Sequence, residues 1–216
     1  MQLNFTRNFN PRVAVAVARY LEAPVELIYR PPHDPHQVEE FRKLNPNLEV
    51  PVLIEGDQVL WETDAVSCRL SQIAESEFWR TCEALPLMLR WLSWGTHNFV
   101  FACDMVHFER VTRPRYNHGW PRQDRVEEGF GLFATSAPIL DKALAGKKWL
   151  LGDEISYADF RMATVLPYAD VAGLSLQGFP NIEAWYARLE EIDAWRDPFA
   201  GLNVPPLPPI PRQQTR

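Results

Sequence analysis

Two short stretches of the 216-residue sequence have the residue types and spacing to hold a charged, extended ligand. The first is Asn45-Pro46-Asn47-Leu48-Glu49-Val50-Pro51-Val52-Leu53. A cis Val50–Pro51 bond would bend the chain and turn the N–H and C=O of Val50 outward, where they can pair with a peptide like one more strand. A trans proline at a strand start is the alternative, since most X–Pro bonds are trans. The second is Leu60-Trp61-Glu62-Thr63-Asp64-Ala65-Val66. Here a strand end runs into a helix start. The free N–H groups of a first helical turn and the Thr63 hydroxyl suit a carboxylate, and Glu62 suits an ammonium. A plain N-cap at Thr63 is the simpler reading of this stretch alone. Together the two stretches describe a peptide ligand whose first residue presents both charges.

The elements that must position these residues follow from periodicity and punctuation. Gln2 to Thr6 alternates as a strand. Asn10-Pro11 opens a helix, with Asn10 as N-cap and proline at the first helical position. Val13 to Leu21 carries that helix, apolar nearly all round. Val25 to Tyr29 is a second strand, and Arg30 to Pro35, with three prolines, is irregular. A short helix is expected near His36 to Leu44. Val50 to Ile54 is extended, Gly56-Asp57 is a hairpin turn, and Gln58 to Trp61 returns. A helix capped by Thr63 runs to about Ala74. The order is β-α-β-α-β-β-α.

After Ser76 the spacing turns helical. Leu85, Met88, Leu89, Leu92, Phe99 and Val100 predict one long helix over about 84–106. Arg110 to Pro121 reads as a basic, aromatic loop. Further helices are expected over 123–144, 156–169 and 181–192. Ser156-x-x-Asp159 is a capping box, flanked by a staple of Ile155 and Phe160. The tail from Pro198, rich in proline, should run extended as a strap or a frayed end. The boundary between the two halves falls near residues 76–83.

Charge and composition narrow the function. Hydrophobic residues make up 46% and charged residues 23%, so wholesale disorder is excluded. Net charge is −6, a poor match to nucleic acid or an anionic membrane. No apolar run is long enough to span a bilayer, and residues 1–5 lack the basic and long apolar regions of a signal peptide. Cys68, Cys82 and Cys103 are an odd set without C-x-x-C, which fits a reducing cytosol. Five scattered histidines give no metal-ligand spacing, so no metal is expected.

The N-P-x-x-x-V-P-x-L and L-x-E-T-x-A-V stretches resemble those of the cytosolic glutathione S-transferase superfamily. So does Gly152-Asp153-Glu154-Ile155-Ser156-Tyr157-Ala158-Asp159-Phe160, which is similar to the capping motif of its helical domain. Phe179-Pro180-Asn181-Ile182-x-x-Trp185 is similar to its closing helix. Order and spacing hold over about residues 2 to 200. The resemblance implies an α/β thioredoxin-like glutathione-binding domain over 1–76, an all-α helical domain over 83–200, and a proline-rich tail over 201–216. It implies a cytoplasmic homodimer with a role in detoxification and glutathione as cosubstrate. Val50 would pair with the cysteinyl backbone, Pro51 would be cis, and Glu62 and Thr63 would hold the γ-glutamyl head. Ser156 and Asp159 would serve folding.

Two departures bear on the chemistry. The family supplies a Tyr, Ser or Cys near the first strand–helix junction, where the thiol must be ionised. Here the junction reads Phe5-Thr6-Arg7-Asn8-Phe9-Asn10-Pro11-Arg12-Val13, with none of the three. A free thiol has a pKa of about 8.5, so ionisation at neutral pH needs preferential thiolate stabilisation of about 1.4 kcal/mol per unit. The donors present are Thr6, Asn8 and Asn10, with Asn10 favoured over Asn8. Glu49 stands where many relatives carry Lys or Gln, so the glycyl carboxylate must find His36, Arg42 or Lys43 instead. The acceptor is expected between the domains, against Trp94, Asn98, Phe101 and Trp120. Trp91 and Met105 share that helical spacing; some of this set face the core and some the cleft, and for any one of them the core is the simpler reading. Arg110, Arg113, Arg115, Arg122 and Arg125 form either an anion-steering mouth or an ordinary solvated face.

Three functions fit the sequence. The first is an enzyme conjugating glutathione thiolate to small electrophilic, largely apolar molecules. The second is a non-catalytic glutathione- or ligand-binding protein of the same shape. The third is a partner-binding domain like the transferase-like domains of translation and starvation-response proteins, which the two ligand stretches disfavour.

Overall fold

Leu3 and Phe5 point to one side of the first strand, and both are fully buried, so this strand is the centre of the first unit. The computed structural model describes residues 1–211. It opens with β1 (Gln2–Phe5), α1 (Phe9–Tyr20) and β2 (Glu26–Tyr29). There follow α2 (Val38–Leu44), β3 (Val52–Glu55), β4 (Gln58–Trp61) and α3 (Thr63–Ile73). The sheet runs β2-β1-β3-β4; β1 and β2 are parallel, and the other two pairings are antiparallel. Gly56, at φ 58°, makes the β3–β4 turn at a backbone angle that costs glycine nothing. A crossover of α1 joins the parallel pair, as a parallel connection requires.

α1 is buried along its whole middle, Pro11 to Ala18. A surface helix shows one apolar stripe. This one is apolar all round because β1, α3 and a C-terminal helix all pack on it. α2 covers the opposite side through Phe41, which clusters with Val50 and Val52.

The second part of the chain is helical. It holds α4 (Leu85–His97), α5 (Phe99–His107), a wide π-helical turn (Phe108–Thr112) and α6 (Arg113–Arg115). Then come α7 (Gln123–Leu144), α8 (Tyr157–Met162), α9 (Ala169–Ala172), α10 (Pro180–Glu190) and α11 (Asp193–Arg196). α5 and α7 cross closely at Gly129, where a Cβ would meet Val106 Cγ2 at 2.7 Å. The capping box at Ser156 forms. Asp159, wholly buried, accepts from Ser156 N at 2.9 Å, Ser156 Oγ at 3.1 Å, Leu150 N at 2.8 Å and Trp185 Nε1 at 2.9 Å.

The chain divides into two compact units: Met1–Cys82 with Leu189–Pro205, and Glu83–Arg188 with the segment that begins at Pro206. The sequence reading set the helical domain at 83–200. Here Leu189–Pro205 return to the first unit, where α11 packs on α1. Residues 203–211 have no regular structure, consistent with their prolines. The rest of the expected 201–216 tail lies outside the described residues.

Other elements differ from expectation. The single helix over 84–106 is two helices, broken at Asn98, which has φ −131° and ψ −91°. The Asn98 amide donates to the Trp94 carbonyl at 2.8 Å and so completes the end of α4. The helix expected over 156–169 stops at Met162 and gives way to a 3₁₀ turn over Leu166–Tyr168, where Pro167 cannot continue it. The loop expected over 110–121 is helical at its start. Among the described residues, none of the helices is long and apolar enough to cross a membrane.

Candidate functional site

The sheet register brings three separate stretches to one edge. Asn4 pairs with Val52, so the C-terminal end of β1 lies beside Pro51. Val52 also pairs with Trp61, so Val50 and Pro51 lie beside Glu62 and Thr63. The junction from Phe5 to Asn10, the Val50–Pro51 bend and the start of α3 therefore share one end of the sheet. That convergence needs β3 to run antiparallel to both neighbours.

The Val50–Pro51 bond is cis. Val50 precedes the strand ladder, which begins at Val52, so its main-chain groups lie outside the sheet. Asn45 fixes the approach to the bend, donating from Nδ2 to the Glu49 carbonyl at 2.9 Å and accepting from Asn47 N at 3.0 Å. Asn45 is buried, and its bonds explain why an amide stands there.

Glu62, not Thr63, holds the N-cap position of α3, with φ 74° and ψ 130°. A left-handed angle at a residue with a Cβ costs on the order of 1–3 kcal/mol and persists where the surroundings impose it. The Glu62 side chain does not cap α3 and is exposed. Its carboxylate therefore projects from a helix start toward solvent. Thr63 is the first helical residue and is buried. The sequence reading placed the cap one residue late, because Thr63 is the better capping type and nothing local signals the positive φ.

At the first junction, α1 starts at Phe9 with Asn8 as its N-cap. Asn10 is thus inside the first turn and not the cap, a correction to the sequence reading. The preference for Pro at the first helical position misplaced the start by two residues; Pro11 is equally free of an N–H partner deeper in the first turn. The Asn8 side chain makes no capping bond and is exposed. Phe5 is buried and packs edge-on against Tyr29.

Candidates for a terminal carboxylate separate clearly. Lys43 pairs with Glu40 at 2.9 Å and Arg42 with Glu39 at 3.8 Å, along the surface of α2. His36 is exposed, and its main-chain N–H is fixed by Asp34 Oδ1 at 3.0 Å. His33 was missed. It sits close enough to Glu49 to pull that carboxyl's pKa down, against partial desolvation, which pushes it up, and the Glu62 charge, which adds to the rise. The net result is a Glu49 carboxyl held above the ordinary carboxylate range. Only its fold neighbours reveal this, since His33 and Glu49 are sixteen positions apart.

In the helical unit, Trp94 packs edge-on against Trp91 at 5.4 Å between centroids, and Trp91 is buried. Met105 is buried. Phe101 and Trp120 are exposed at 43% and 50%, so both have aromatic surface available to a ligand. Asn98 ends α4 instead of offering its amide outward. Trp120 borders a cavity of about 230 Å³ with Pro114, Asn117, Gly119 and Pro211. The arginine cluster is largely engaged. Arg113 pairs with buried Glu109 at 2.8 Å and donates to the His118 carbonyl at 2.7 Å. Arg110 bonds the Ala172 carbonyl at 3.0 Å, Arg122 pairs with Asp124, and Arg125 pairs with Glu128. These groups build the loop more than they form a field for anions. Among the described residues no group of three metal-ligating side chains comes together.

Residues 3–67 match the family described as glutathione S-transferase, N-terminal domain, and residues 123–188 match glutathione S-transferase, C-terminal domain. The chain is 30% identical over 166 residues to glutathione S-transferase GstB of Escherichia coli K12, covering 73% of this chain and 76% of that one. It is 29% identical over 181 residues to glutathione S-transferase 3 of Zea mays, covering 80% of each. Its fold is similar to that of a theta class glutathione S-transferase from Xanthomonas axonopodis pv. citri, solved with glutathione bound. That likeness has a TM-score of 0.79 at 23% identity and covers 92% of this chain and 96% of that one. The fold is that of the two-domain glutathione S-transferases, a small mixed sheet followed by a helical region. The chain belongs to the cytosolic glutathione S-transferase superfamily.

Proposed function

We propose that this glutathione S-transferase binds glutathione along the sheet edge formed by Val50–Pro51 and Glu62–Thr63 and transfers its thiolate to small, electrophilic, largely apolar acceptors. The convergence of those two stretches carries the reading. Val50 offers an N–H and a C=O to the cysteinyl main chain. The first-turn N–H groups of α3 and the Thr63 hydroxyl receive the γ-glutamyl carboxylate, and the Glu62 carboxylate receives its ammonium. His36 and His33 are the side chains on hand to donate to the glycyl carboxylate.

Asn10, and after it Asn8, supplies the amide donor to the thiol, with the positive end of α1 behind it. A thiolate hydrogen bond and a helix N-terminus together account for a lowering of about two pKa units. Catalysis is then the attack of a positioned, ionised sulfur on the electrophile, whose leaving group or π-electrons take the displaced pair. Trp94, Phe101 and Trp120 are proposed acceptor contacts, with Asn98 shaping the end of α4 beside Trp94. A homodimer is proposed on the apolar side chains left exposed on β4, Val59 and Trp61, and on α4, Leu87 and Leu89. A cytoplasmic setting suits three free cysteines.

The decisive measurement is the thiolate absorbance of bound glutathione as a function of pH. A thiol pKa well below 8.5 supports the enzyme. Tight binding with an unshifted thiol supports the second reading, a non-catalytic binder, which the absence of Tyr, Ser and Cys from residues 5–13 favours.

A further inference from the structure

The junction that holds Asn8 and Asn10 is gripped on both sides by one distant piece of chain. On the upstream side, the Phe5 ring stacks on Phe199, with centroids 5.6 Å apart and planes 12° from parallel. The Arg7 guanidinium lies over the same Phe199 ring at 5.1 Å. On the downstream side, Arg12 donates to the Trp195 carbonyl and lies over the Trp195 ring at 4.6 Å. Two turns further along α1, Arg19 donates to the Ala200 carbonyl at 2.5 Å. Phe5, Arg12, Trp195 and Phe199 are all buried. A buried guanidinium is costly unless its donors and its face are matched, so Arg12 ties α1 to the returning segment at a defined place.

We infer that Leu189–Pro205 is a brace for the thiol-activating junction, with Phe199 and Trp195 as positioning residues acting through Arg7 and Arg12. The inference rests on the transferase reading above. An asparagine amide is a weaker and more orientation-dependent thiolate donor than a hydroxyl on a fixed turn. It works only if the turn that carries it is held, and a displacement of about 1 Å costs up to a hundredfold in rate. Asn8, Phe9, Asn10 and Pro11 make up the whole span between the two gripped arginines. The glutathione-holding residues Val50, Glu62 and Thr63 lie on other elements, so loosening the brace separates activation of the thiol from binding of the peptide.

The test uses the full chain with Phe199→Ala, Phe199→Leu, Phe199→Tyr and Arg7→Met, each checked for a cooperative melt. The readouts are kcat, the KM for glutathione, and the pKa of the bound thiol from its absorbance. Expected for Phe199→Ala and Arg7→Met is a fall of about tenfold in kcat and a rise of about one unit in the thiol pKa. The KM should stay within about twofold. Phe199→Tyr, which keeps the stacked ring, should restore both. An unchanged thiol pKa in a folded Phe199→Leu or Arg7→Met variant overturns the brace, as does a loss that tracks the melting temperature alone. If the wild type binds glutathione without shifting its thiol, the transferase reading itself fails, and the brace with it.

Discussion

Trp185 Nε1 donates to Asp159 Oδ1 at 2.9 Å, joining α10 to the start of α8 across twenty-six residues of sequence. The same carboxylate also collects two main-chain N–H groups and a hydroxyl. It is a folding hub of the helical unit. Asp159→Ala would leave four donors unpaired, at roughly 1–3 kcal/mol each where no water enters, so the loss should be at least about 4 kcal/mol. Urea unfolding of the variant should show this loss, while the KM for glutathione of the folded fraction stays near wild type.

Gly129 tests close packing against helix propensity. Alanine in a helix interior gains up to about 1 kcal/mol over glycine. Here its Cβ would meet Val106 Cγ2 at 2.7 Å and the Ala102 carbonyl and Val106 N at 3.3 Å. A β-branched side chain and two main-chain atoms cannot all retreat, and overpacking costs about 1–3 kcal/mol. Gly129→Ala should therefore lower the melting temperature. A rise would mean that α5 and α7 separate easily.

The pH dependence of stability has two opposing parts in α5. Burial, aided by the nearby Arg115 charge, depresses His107 from 6.5 to about 4. The unfolded chain then binds a proton that the folded chain refuses, so stability is lost as pH falls from about 6.5 toward 4. Burial raises Asp104 from 3.8 to about 6, against the pull of Arg161. That contribution is full below about 3.8 and is lost as pH rises through about 6. Asp104→Asn should therefore be more stable than wild type at pH 7, by roughly 3 kcal/mol at about 1.4 kcal/mol per unit, and about equal to it near pH 4. Denaturation curves at the two pH values decide this, and a gain at pH 4 alone would contradict the sign. His107→Gln should flatten the acid limb below pH 6.5.

Replacing the head-group contacts should raise KM more than it lowers kcat. A hydrogen bond to a charged partner contributes about 1.5–3 kcal/mol, so Glu62→Gln and Thr63→Ala should each raise the KM for glutathione by roughly ten- to a hundredfold. The measurement is steady-state kinetics with glutathione varied at fixed acceptor. Asn10→Ala should instead lower kcat and raise the pH at which the rate turns on. If Asn8→Ala does so and Asn10→Ala does not, the donor is the N-cap residue.

Local patterning was enough to find the sheet, its helices and the two candidate ligand stretches. Alternation marks β1 to β4, Gly56-Asp57 closes the hairpin, and Ser156-x-x-Asp159 opens α8, because each depends on residues within a few positions of one another. Order along the chain, joined to the resemblance, also pointed to the cis bond at Pro51. The sequence could not say where α1 and α3 begin. The α3 start is set by a positive φ at Glu62 that opposes side-chain preference, and the α1 start by Asn8, a good N-cap type that competes with Asn10 two residues on. Nor could it break the helix at Asn98 or bring His33 to Glu49.

Tertiary structure alone decided what surrounds α1. A run of Val and Ala flanked by Arg7, Arg12 and Arg19 states that the helix is covered and that its charges need partners. It does not state which chain segment supplies them. Trp195 and Phe199 come from the far end of the sequence, and contacts of such separation leave no local period to read. The residue types along the first seventy-five positions supply the place that we propose for a peptide thiol. The returning C-terminal segment determines how firmly the junction beside that place is held.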